Sequence, residues 1–314
     1  MKPIQVLDTI KEISKDKWNQ LVPDNNPFVR HEFYRSLEKG NCLKGHTGWH
    51  PLYFIKQDEE SLIAALVVFV KTDSYGEFIF DWEWARAYQQ YGFDYYPKLT
   101  MAVPYSPISA PKLLGDLEVH RTEVLPALLS FYQKENVSSI HALFTEKDED
   151  SLFDDLEFMK RDSFQYHWKA RDFKTFDDYL NALKKSKRKT IKKERRVVYD
   201  ANLEISLLNG EDVNLEQVDF FYDCYLTTID KKWSQAYLTK EFFFSLFKSL
   251  PKQTHLFLVK KEGRPVASAL YLSSDTTLYG RYWGCVEEID FLHFELCIYQ
   301  GIELCLKKGL KVFE

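Results

Sequence analysis

The alternation of hydrophobic and polar positions predicts an α/β chain in which one order of elements occurs twice. Residues 51–72 form two apolar runs around the acidic turn QDEES, a pattern typical of a β-hairpin. Residues 255–274 repeat this pattern around Glu262-Gly263, and TTLYGRYWGC follows as a third strand. In each half, helical patterns precede the hairpin, and a helix and a further strand come later. This order predicts two similarly built α/β units with mixed, mostly antiparallel sheets.

Capping residues mark the ends of several predicted helices. Gly40 closes the helical pattern HEFYRSLEKG, as a glycine after the last helical residue commonly does. Thr175, followed three residues later by Asp178, forms a capping-box pattern at the start of another helix. The remaining predicted helices are residues 10–21, 215–233 and 293–308, together with one in the stretch 123–144, which ends in a strand. A strand then begins at KVFE.

The repeated order and the length of 314 residues predict two domains, since a domain commonly holds about 100–150 residues. We place an N-terminal domain at residues 1–165 and a C-terminal domain at residues 166–314, joined near 161–174. The last predicted strand begins only four residues before the end of the chain. Because that is shorter than a usual strand, we expect the natural chain to continue and the second domain to be truncated at its C-terminus.

Composition narrows the class of protein. Hydrophobic residues make up 45% and charged residues 28% of the chain, which is the balance of a globular protein. The N-terminus lacks the apolar core of a signal peptide, and the longest apolar run, Leu62–Val70, is too short to span a bilayer. Five scattered cysteines with no C-x-x-C pair indicate reduced thiols and argue against a zinc site. We therefore expect a cytoplasmic protein with no transmembrane segment and no metal.

Several stretches resemble the Fem-like peptidoglycan biosynthesis/recognition proteins of bacteria, within the GNAT/Fem acyltransferase superfamily. The stretches are NPFVRHEFYRSLE, GEFIFDWEWARAYQQYGFDYYPKL, VPYSPISAP, residues 171–196 and LYGRYWGCVEEIDFLHFELCIYQ. The order of elements in residues 255–314 also resembles the acyl-CoA-binding half of the GNAT fold. The resemblance implies two tandem GNAT-like domains that transfer an acyl or aminoacyl group to an amine acceptor, such as a peptidoglycan precursor. The implied co-substrate is an acyl-CoA or an aminoacyl-tRNA, which makes tRNA a candidate partner.

The strand 277–285 carries the first set of candidate site residues. Alternation places Tyr279, Arg281 and Trp283 on one face, and Gly280 and Tyr282 on the other. Glycines inside a strand indicate a bulge or a backbone that a ligand approaches. In GNAT-like proteins the corresponding strand is splayed, and its free N–H polarises the acyl carbonyl. We expect Arg281 to bind an anionic substrate, with an internal salt bridge as the alternative.

Acyl transfer to an amine needs a base for the ammonium group and an acid for the leaving group. The resemblance places His293 and Glu295 where they can act as bases, and Tyr282 or Tyr279 where it can donate a proton. The alternative for His293 is a side chain that hydrogen-bonds the backbone at the helix start. Cys285 has no evident base partner and is interpreted as a small apolar filler.

Acidic residues surround the start of the helix that follows this strand. The glycine-rich phosphate loop of acetyl-CoA users is absent, and four carboxylates crowd the same place: Glu287, Glu288, Asp290 and Glu295. Because carboxylates repel a pyrophosphate, this pattern disfavours acetyl-CoA and favours another donor, such as aminoacyl-tRNA.

A basic run provides the clearest candidate anion site. Net charge is only −5, so an anion must be attracted by a local patch. Residues 184–196 hold nine basic residues and one acid. Such density predicts phosphate binding through Lys187, Arg188, Lys192 and Arg195, while the alternative is a solvated helix face.

The first half concentrates aromatic side chains beside charges. Asp81, Trp82, Tyr88, Tyr96 and Lys98 form a candidate platform for a sugar or peptide acceptor. Aromatic packing between domains is the alternative.

At the level of the whole chain, the rival to an acyltransferase is a non-catalytic protein that recognises a cell-wall precursor or RNA.

Overall fold

Two mixed sheets, one in each half of the chain, organise the computed structural model. The structure describes residues 2–79, 81–231 and 235–314. The chain divides into a first compact unit that ends at Asp162 and a second that begins at Ser163. Within each sheet all strand pairs are antiparallel except one, so the predicted α/β class with mixed, mostly antiparallel sheets is confirmed.

The first unit has a sheet of six strands in the order β1-β2-β3-β4-β6, with β5 paired to β3. The strands are β1 (Gln5–Leu7), β2 (Trp49–Gln57), β3 (Leu62–Lys71), β4 (Lys98–Met101), β5 (Leu113–Gly115) and β6 (Ile140–Ala142). The helices are α1 (Lys15–Asn19), α2 (His31–Lys39), α3 (Trp82–Gln90), α4 (Leu117–Val119), α5 (Leu125–Lys134) and α6 (Asp150–Asp155). The apolar side chains of β3 and β4 pack against α5 to form the core of this unit.

The second unit has a sheet in the order β7-β12-β11-β10-β9-β8. Its strands are β7 (Trp168–Lys169), β8 (Leu203–Asn209), β9 (Thr254–Lys261), β10 (Arg264–Ser273), β11 (Thr277–Cys285) and β12 (Val312–Phe313). Its helices are α7 (Phe176–Ala182), α8 (Lys185–Asp200), α9 (Leu215–Lys231), α10 (Lys240–Ser249), α11 (Leu292–Phe294) and α12 (Gln300–Lys307). Helices α8 and α12 contribute to an apolar core on one face of the sheet. Helix α9 packs against the other face.

Local signals placed most elements correctly. Both predicted hairpins are present as β2–β3 and β9–β10. Gly40 is the C-terminal cap of α2, and Thr175 and Asp178 form the predicted capping box of α7. Helix α9 begins at Leu215 as predicted, and residues 232 and 233 of that prediction lie outside the described residues.

Two predicted helices are interrupted. The predicted helix 10–21 is a 3₁₀ turn at Ile10–Glu12 followed by α1, because extended Ser14 starts a new helix and its hydroxyl accepts the Lys17 N–H. The predicted helix 293–308 begins at Leu292 and contains a π-turn at Glu295–Tyr299 between α11 and α12. Such π-turns often occur at functional sites.

Within the described ranges, no helix combines the length and the apolar character that crossing a membrane requires.

Candidate active site in the second unit

Strand β11 contains a bulge at Arg281. Leu270 of β10 pairs with Tyr282, whereas the next residue, Tyr271, pairs with Gly280. Arg281 is therefore the extra residue of β11, and a bulge of this kind bends the strand and interrupts its ladder. The two glycines of this strand predicted either a bulge or a ligand approach, and a bulge is present beside the first of them.

Beyond the bulge, side chains separate onto two faces of the sheet. The Tyr282 ring lies 5.5 Å from the ring centroids of both Tyr225 and Phe243, on the face that α9 and α10 cover. Trp283 packs against the core of the opposite face, and its ring lies 5.2 Å from the ring of His293. The side chains of Tyr282 and His293 therefore lie on opposite faces of β11.

The predicted grouping of Tyr279 with Trp283 is wrong. Leu278 belongs to the same core against which Trp283 packs, so its neighbour Tyr279 is on the other face. The physical reason is the bulge, because one extra residue reverses the alternation of every side chain that follows it.

Helix α9 approaches the backbone of β11 very closely at Gly284. A Cβ atom at this position would lie 1.7 Å from the carbonyl oxygen of Cys224. One turn further along α9, the Thr228 hydroxyl donates to the Trp283 carbonyl oxygen at 2.6 Å. The pairing of β12 with β11 involves Thr277 and Leu278. Past that pairing, β11 stays paired with β10 as far as Cys285, and Thr228 of α9 binds its backbone at Trp283.

Glu295 is part of an internal ion pair. Its carboxylate, fully buried in the π-turn, accepts hydrogen bonds from Arg195 Nε at 3.0 Å and Nη2 at 2.9 Å. Gln300 donates a third at 2.8 Å. The other candidate base, His293, is exposed, so the two candidate bases lie in different environments. To act as a base, Glu295 would first have to break this ion pair.

The basic run forms α8, and the structure separates its cations into two groups. Arg195 also donates to Glu303 Oε1 at 2.7 Å, and Arg188 donates to the Leu183 carbonyl oxygen at 3.2 Å, at the end of α7. Arg188 and Arg195, two of the four predicted phosphate ligands, therefore form hydrogen bonds within the second unit. The other two, Lys187 and Lys192, are exposed. Among the described residues, no ion pair holds the exposed lysines of this run. They are Lys184, Lys185, Lys187, Lys189, Lys192 and Lys193.

The acidic residues near the start of α11 are largely neutralised. Glu287 forms an ion pair with Lys261, and Glu288 forms one with Lys231 at 2.7 Å. A third carboxylate, Glu295, is the one held by α8. Three of the four carboxylates that disfavoured a pyrophosphate therefore have cationic partners. Their repulsion of a pyrophosphate is reduced, which weakens the electrostatic argument against acyl-CoA.

The first unit holds a buried polar cluster around Lys98. The Lys98 ammonium donates to Ser74 Oγ at 2.9 Å, Glu77 Oε2 at 2.9 Å and Asp81 Oδ2 at 2.5 Å, which uses all three of its protons. Burial raises the pKa of Glu77. Burial also opposes ionisation of Asp81, but hydrogen bonds from Lys98 and Tyr95 outweigh it and lower the pKa of that carboxyl.

This cluster joins the start of α3 to β4. Within the described chain, α3 buries none of its residues, and Asp81, the residue before its start, forms an ion pair with Lys98 of β4. Of the other predicted acceptor residues, Tyr96 hydrogen-bonds Ser74 at 2.8 Å, and Tyr88 packs on Tyr95 with ring centroids 5.1 Å apart. Trp82 is 41% exposed.

The sequence matches one family along nearly its whole length. The model of the FemAB-like family, described as peptidoglycan biosynthesis/recognition, matches residues 9–314. The chain belongs to the FemAB-like family. No curated protein matches the sequence significantly.

Solved structures share the fold of this FemAB-like chain at low sequence identity. FemX superposes with a TM-score of 0.53 at 11% identity, covering 98% of this chain and 87% of FemX. L-PGS from Bacillus licheniformis gives 0.52 at 10% identity, covering 90% of this chain and 74% of that one. A conserved protein of unknown function from Bacteroides thetaiotaomicron VPI-5482 gives 0.51 at 12% identity, covering 99% and 89%. These similarities confirm the fold.

Sequence reasoning missed the acidic partners that complete the ion pairs of this FemAB-like protein. Glu303 and Glu77 were not singled out, although each binds a cation that was. A carboxylate within an apolar helical run, such as Glu295 in FELCIYQ, is a signal of a buried cation partner. Within the described residues, no group of three or more His, Cys, Asp or Glu side chains could hold a metal ion.

Proposed function

We propose that this protein is an N-acyltransferase of the GNAT/Fem type that transfers an acyl or aminoacyl group to an amine acceptor of the peptidoglycan pathway. The observation that carries the proposal is the match to the FemAB-like family over residues 9–314, on a second unit built around a bulged central strand. In the reaction, the acceptor nitrogen attacks the acyl carbonyl, a C–N bond forms, and the bond from the carbonyl carbon to the donor oxygen or sulfur breaks.

The acyl group lies along the bulged part of β11. A bulge releases backbone groups from the ladder, and a backbone N–H aimed at the carbonyl can stabilise the oxyanion that develops on attack. Arg281, the bulged residue, binds an anionic group of the donor or acceptor. Tyr282 or Tyr279, both on the α9 face, supplies the proton that the leaving group takes up.

His293 is the base that removes the proton from the acceptor ammonium. It is exposed, and its ring packs on Trp283 of β11. The exposed lysines of α8, including Lys187 and Lys192, attract the phosphates of the donor, which is an acyl-CoA or an aminoacyl-tRNA. The first unit binds the acceptor through the aromatic residues near Trp82, Tyr88 and Tyr96.

A second candidate function is recognition without catalysis, in which the protein binds a cell-wall precursor or RNA. The specific observation that favours it is the ion pair of Glu295, which occupies one of the two candidate bases. The two functions differ in whether a covalent product forms.

Intact-mass spectrometry of acceptor mixtures incubated with acyl-CoA or aminoacyl-tRNA donors tests the proposal. We expect the wild-type protein to add the mass of one acyl group, and His293→Ala to lower the rate by about 10²-fold or more, the usual contribution of a general base. His46→Ala is the matched control, because His46 is exposed and lies in the other unit. An acceptor that binds but never gains mass with any donor would establish recognition instead, and full turnover by His293→Ala would remove that residue from the mechanism.

A further inference from the structure

A cavity between α7 and α8 lies on the surface of the second unit, outside the region assigned above to the acyl group. Its volume is about 360 Å³, at the lower end of the range of small-molecule sites. The apolar and aromatic walls are the side chains of Phe176, Leu180 and Tyr199. The charged lining consists of the exposed cations Lys192 and Arg196, the buried Arg195 and the carboxylate of Asp177. An apolar, aromatic wall beside two cations fits a ligand that has both a planar ring and an anionic group.

The aromatic walls are held in place by Arg195. Its guanidinium carbon lies 4.5 Å from the Phe176 ring centroid and 5.4 Å from the Tyr199 ring centroid. Two carboxylates, Glu295 and Glu303, balance its charge from within the unit. Arg195 therefore orders the two rings and leaves the binding of an anion to Lys192 and Arg196. Arg196 Nε also lies 3.5 Å from Asp200 Oδ2, in an exposed pair on the same helix.

The cations at the edge continue as a row along α8. Lys185, Lys189, Lys192 and Arg196 follow one another at intervals of four, three and four residues, which places them within about 60° on one helix face. Neighbouring members are about 4.5–6 Å apart along the helix axis. This row differs from the set predicted from the sequence, two of whose members, Arg188 and Arg195, are engaged inside the unit.

We infer that the cavity binds a nucleotide, with the base against the aromatic walls and its phosphate on Lys192 and Arg196. Planar bases stack on aromatic side chains, and a phosphate accepts charge-assisted hydrogen bonds from lysine and arginine. The inference deepens the proposed function and rests on it for the identity of the ligand, which is the nucleotide end of the acyl donor. A coenzyme A donor and the 3′-terminal adenosine of an aminoacyl-tRNA share this chemistry.

Isothermal titration calorimetry with adenosine monophosphate, ribose 5-phosphate, coenzyme A and a short RNA ending in adenosine tests the inference. We expect Lys192→Ala/Arg196→Ala to weaken adenosine monophosphate binding by at least tenfold, because two charge-assisted contacts are lost. Lys248→Ala/Lys252→Ala removes the same charge from another exposed part of the second unit and should change the affinity less than twofold. Phe176→Leu should weaken adenosine monophosphate several-fold and leave ribose 5-phosphate unchanged.

The two donors are distinguished by how many cations of the row contribute to binding. RNA that binds more tightly than adenosine monophosphate, with the gain lost in Lys185→Ala/Lys189→Ala, identifies a polynucleotide. Tighter binding of coenzyme A than of adenosine monophosphate, with no gain from RNA, identifies the coenzyme. The inference is overturned if Lys192→Ala/Arg196→Ala and the control double variant bind adenosine monophosphate equally well. It is also overturned if the wild-type protein does not bind adenosine monophosphate at millimolar concentration. If the protein transfers acyl groups and adenosine monophosphate does not inhibit the reaction, the nucleotide site is wrong but the proposed function stands. Failure of the inference can therefore be told apart from failure of the proposed function.

Discussion

At the scale of single residues, Arg195 and Glu295 show how burial changes the meaning of a charge. The Glu295 side chain is fully buried, and that of Arg195 is 11% exposed. A buried carboxylate without its cation is costly, so removal of one member of such a pair destabilises strongly. This pair joins α8 to the π-turn that follows β11. Glu295 therefore stabilises the fold of the second unit.

The substitution Glu295→Gln separates a structural from a catalytic role. We expect it to lower the free energy of unfolding by about 3–5 kcal/mol, the usual cost of breaking a buried pair. Glu303→Gln is the control, because Glu303 contacts the same arginine but is 38% exposed, and it should cost less than about 1 kcal/mol. Chemical denaturation measures both. Unchanged stability with loss of acyl transfer in Glu295→Gln would instead make this carboxylate the base.

At the scale of elements, the contact of β11 with α9 positions the candidate site. Gly284 permits the Cys224 backbone to approach, and the Thr228 hydroxyl then reaches the Trp283 carbonyl. The same approach brings Tyr282 against Tyr225. A side chain at position 284 would push α9 away and loosen each of these contacts.

Gly284→Ala tests this packing. The added methyl group would overlap the Cys224 backbone, so we expect a loss of about 1–3 kcal/mol or more, as in other overpacked sites. Gly280→Ala on the same strand is the control. Its Cβ would lie 3.3 Å from Phe313 Cε2 at the end of a ring, which needs only a small adjustment. Thermal denaturation of the two variants should show the larger loss at 284, and equal melting temperatures would contradict the packing argument.

At the scale of the whole molecule, buried histidines make both units sensitive to acid. Burial lowers the pKa of His31, His120 and His141 in the first unit, the last of these to about 4. In the second unit, burial lowers the pKa of His255 to about 3, and its Nε2 lies 2.9 Å from Ser273 Oγ. In each case the unfolded chain binds a proton more readily than the folded one. Stability is therefore complete above the unfolded pKa of about 6.5 and falls as the pH drops below it.

For His255 alone, this difference predicts a loss of about 2 kcal/mol between pH 7.5 and pH 5. His255→Leu should remove that part of the pH dependence, since leucine does not bind a proton. Denaturant unfolding at the two pH values measures the difference, with His46→Leu, an exposed position, as the control. The same pH dependence in both variants would show that another group is responsible.

The sequence by itself determined most of the elements of this protein. The hairpins, the Gly40 cap and the capping box at Thr175 follow from alternation and spacing over a few residues, which local conformational preferences fix. The α/β class followed from the order of these elements.

Only the tertiary structure decided which candidate residues are held in internal ion pairs and on which face of the sheet the others lie. Arg195 and Glu295 are 100 residues apart in sequence, so no local pattern reveals that they neutralise each other. The bulge at Arg281 is set by the pairing of β11 with β10, and that one extra residue moved Trp283 to the other face from Tyr279. Burial, pairing and register depend on contacts between segments that are distant in sequence. Periodicity along the chain does not reveal those contacts.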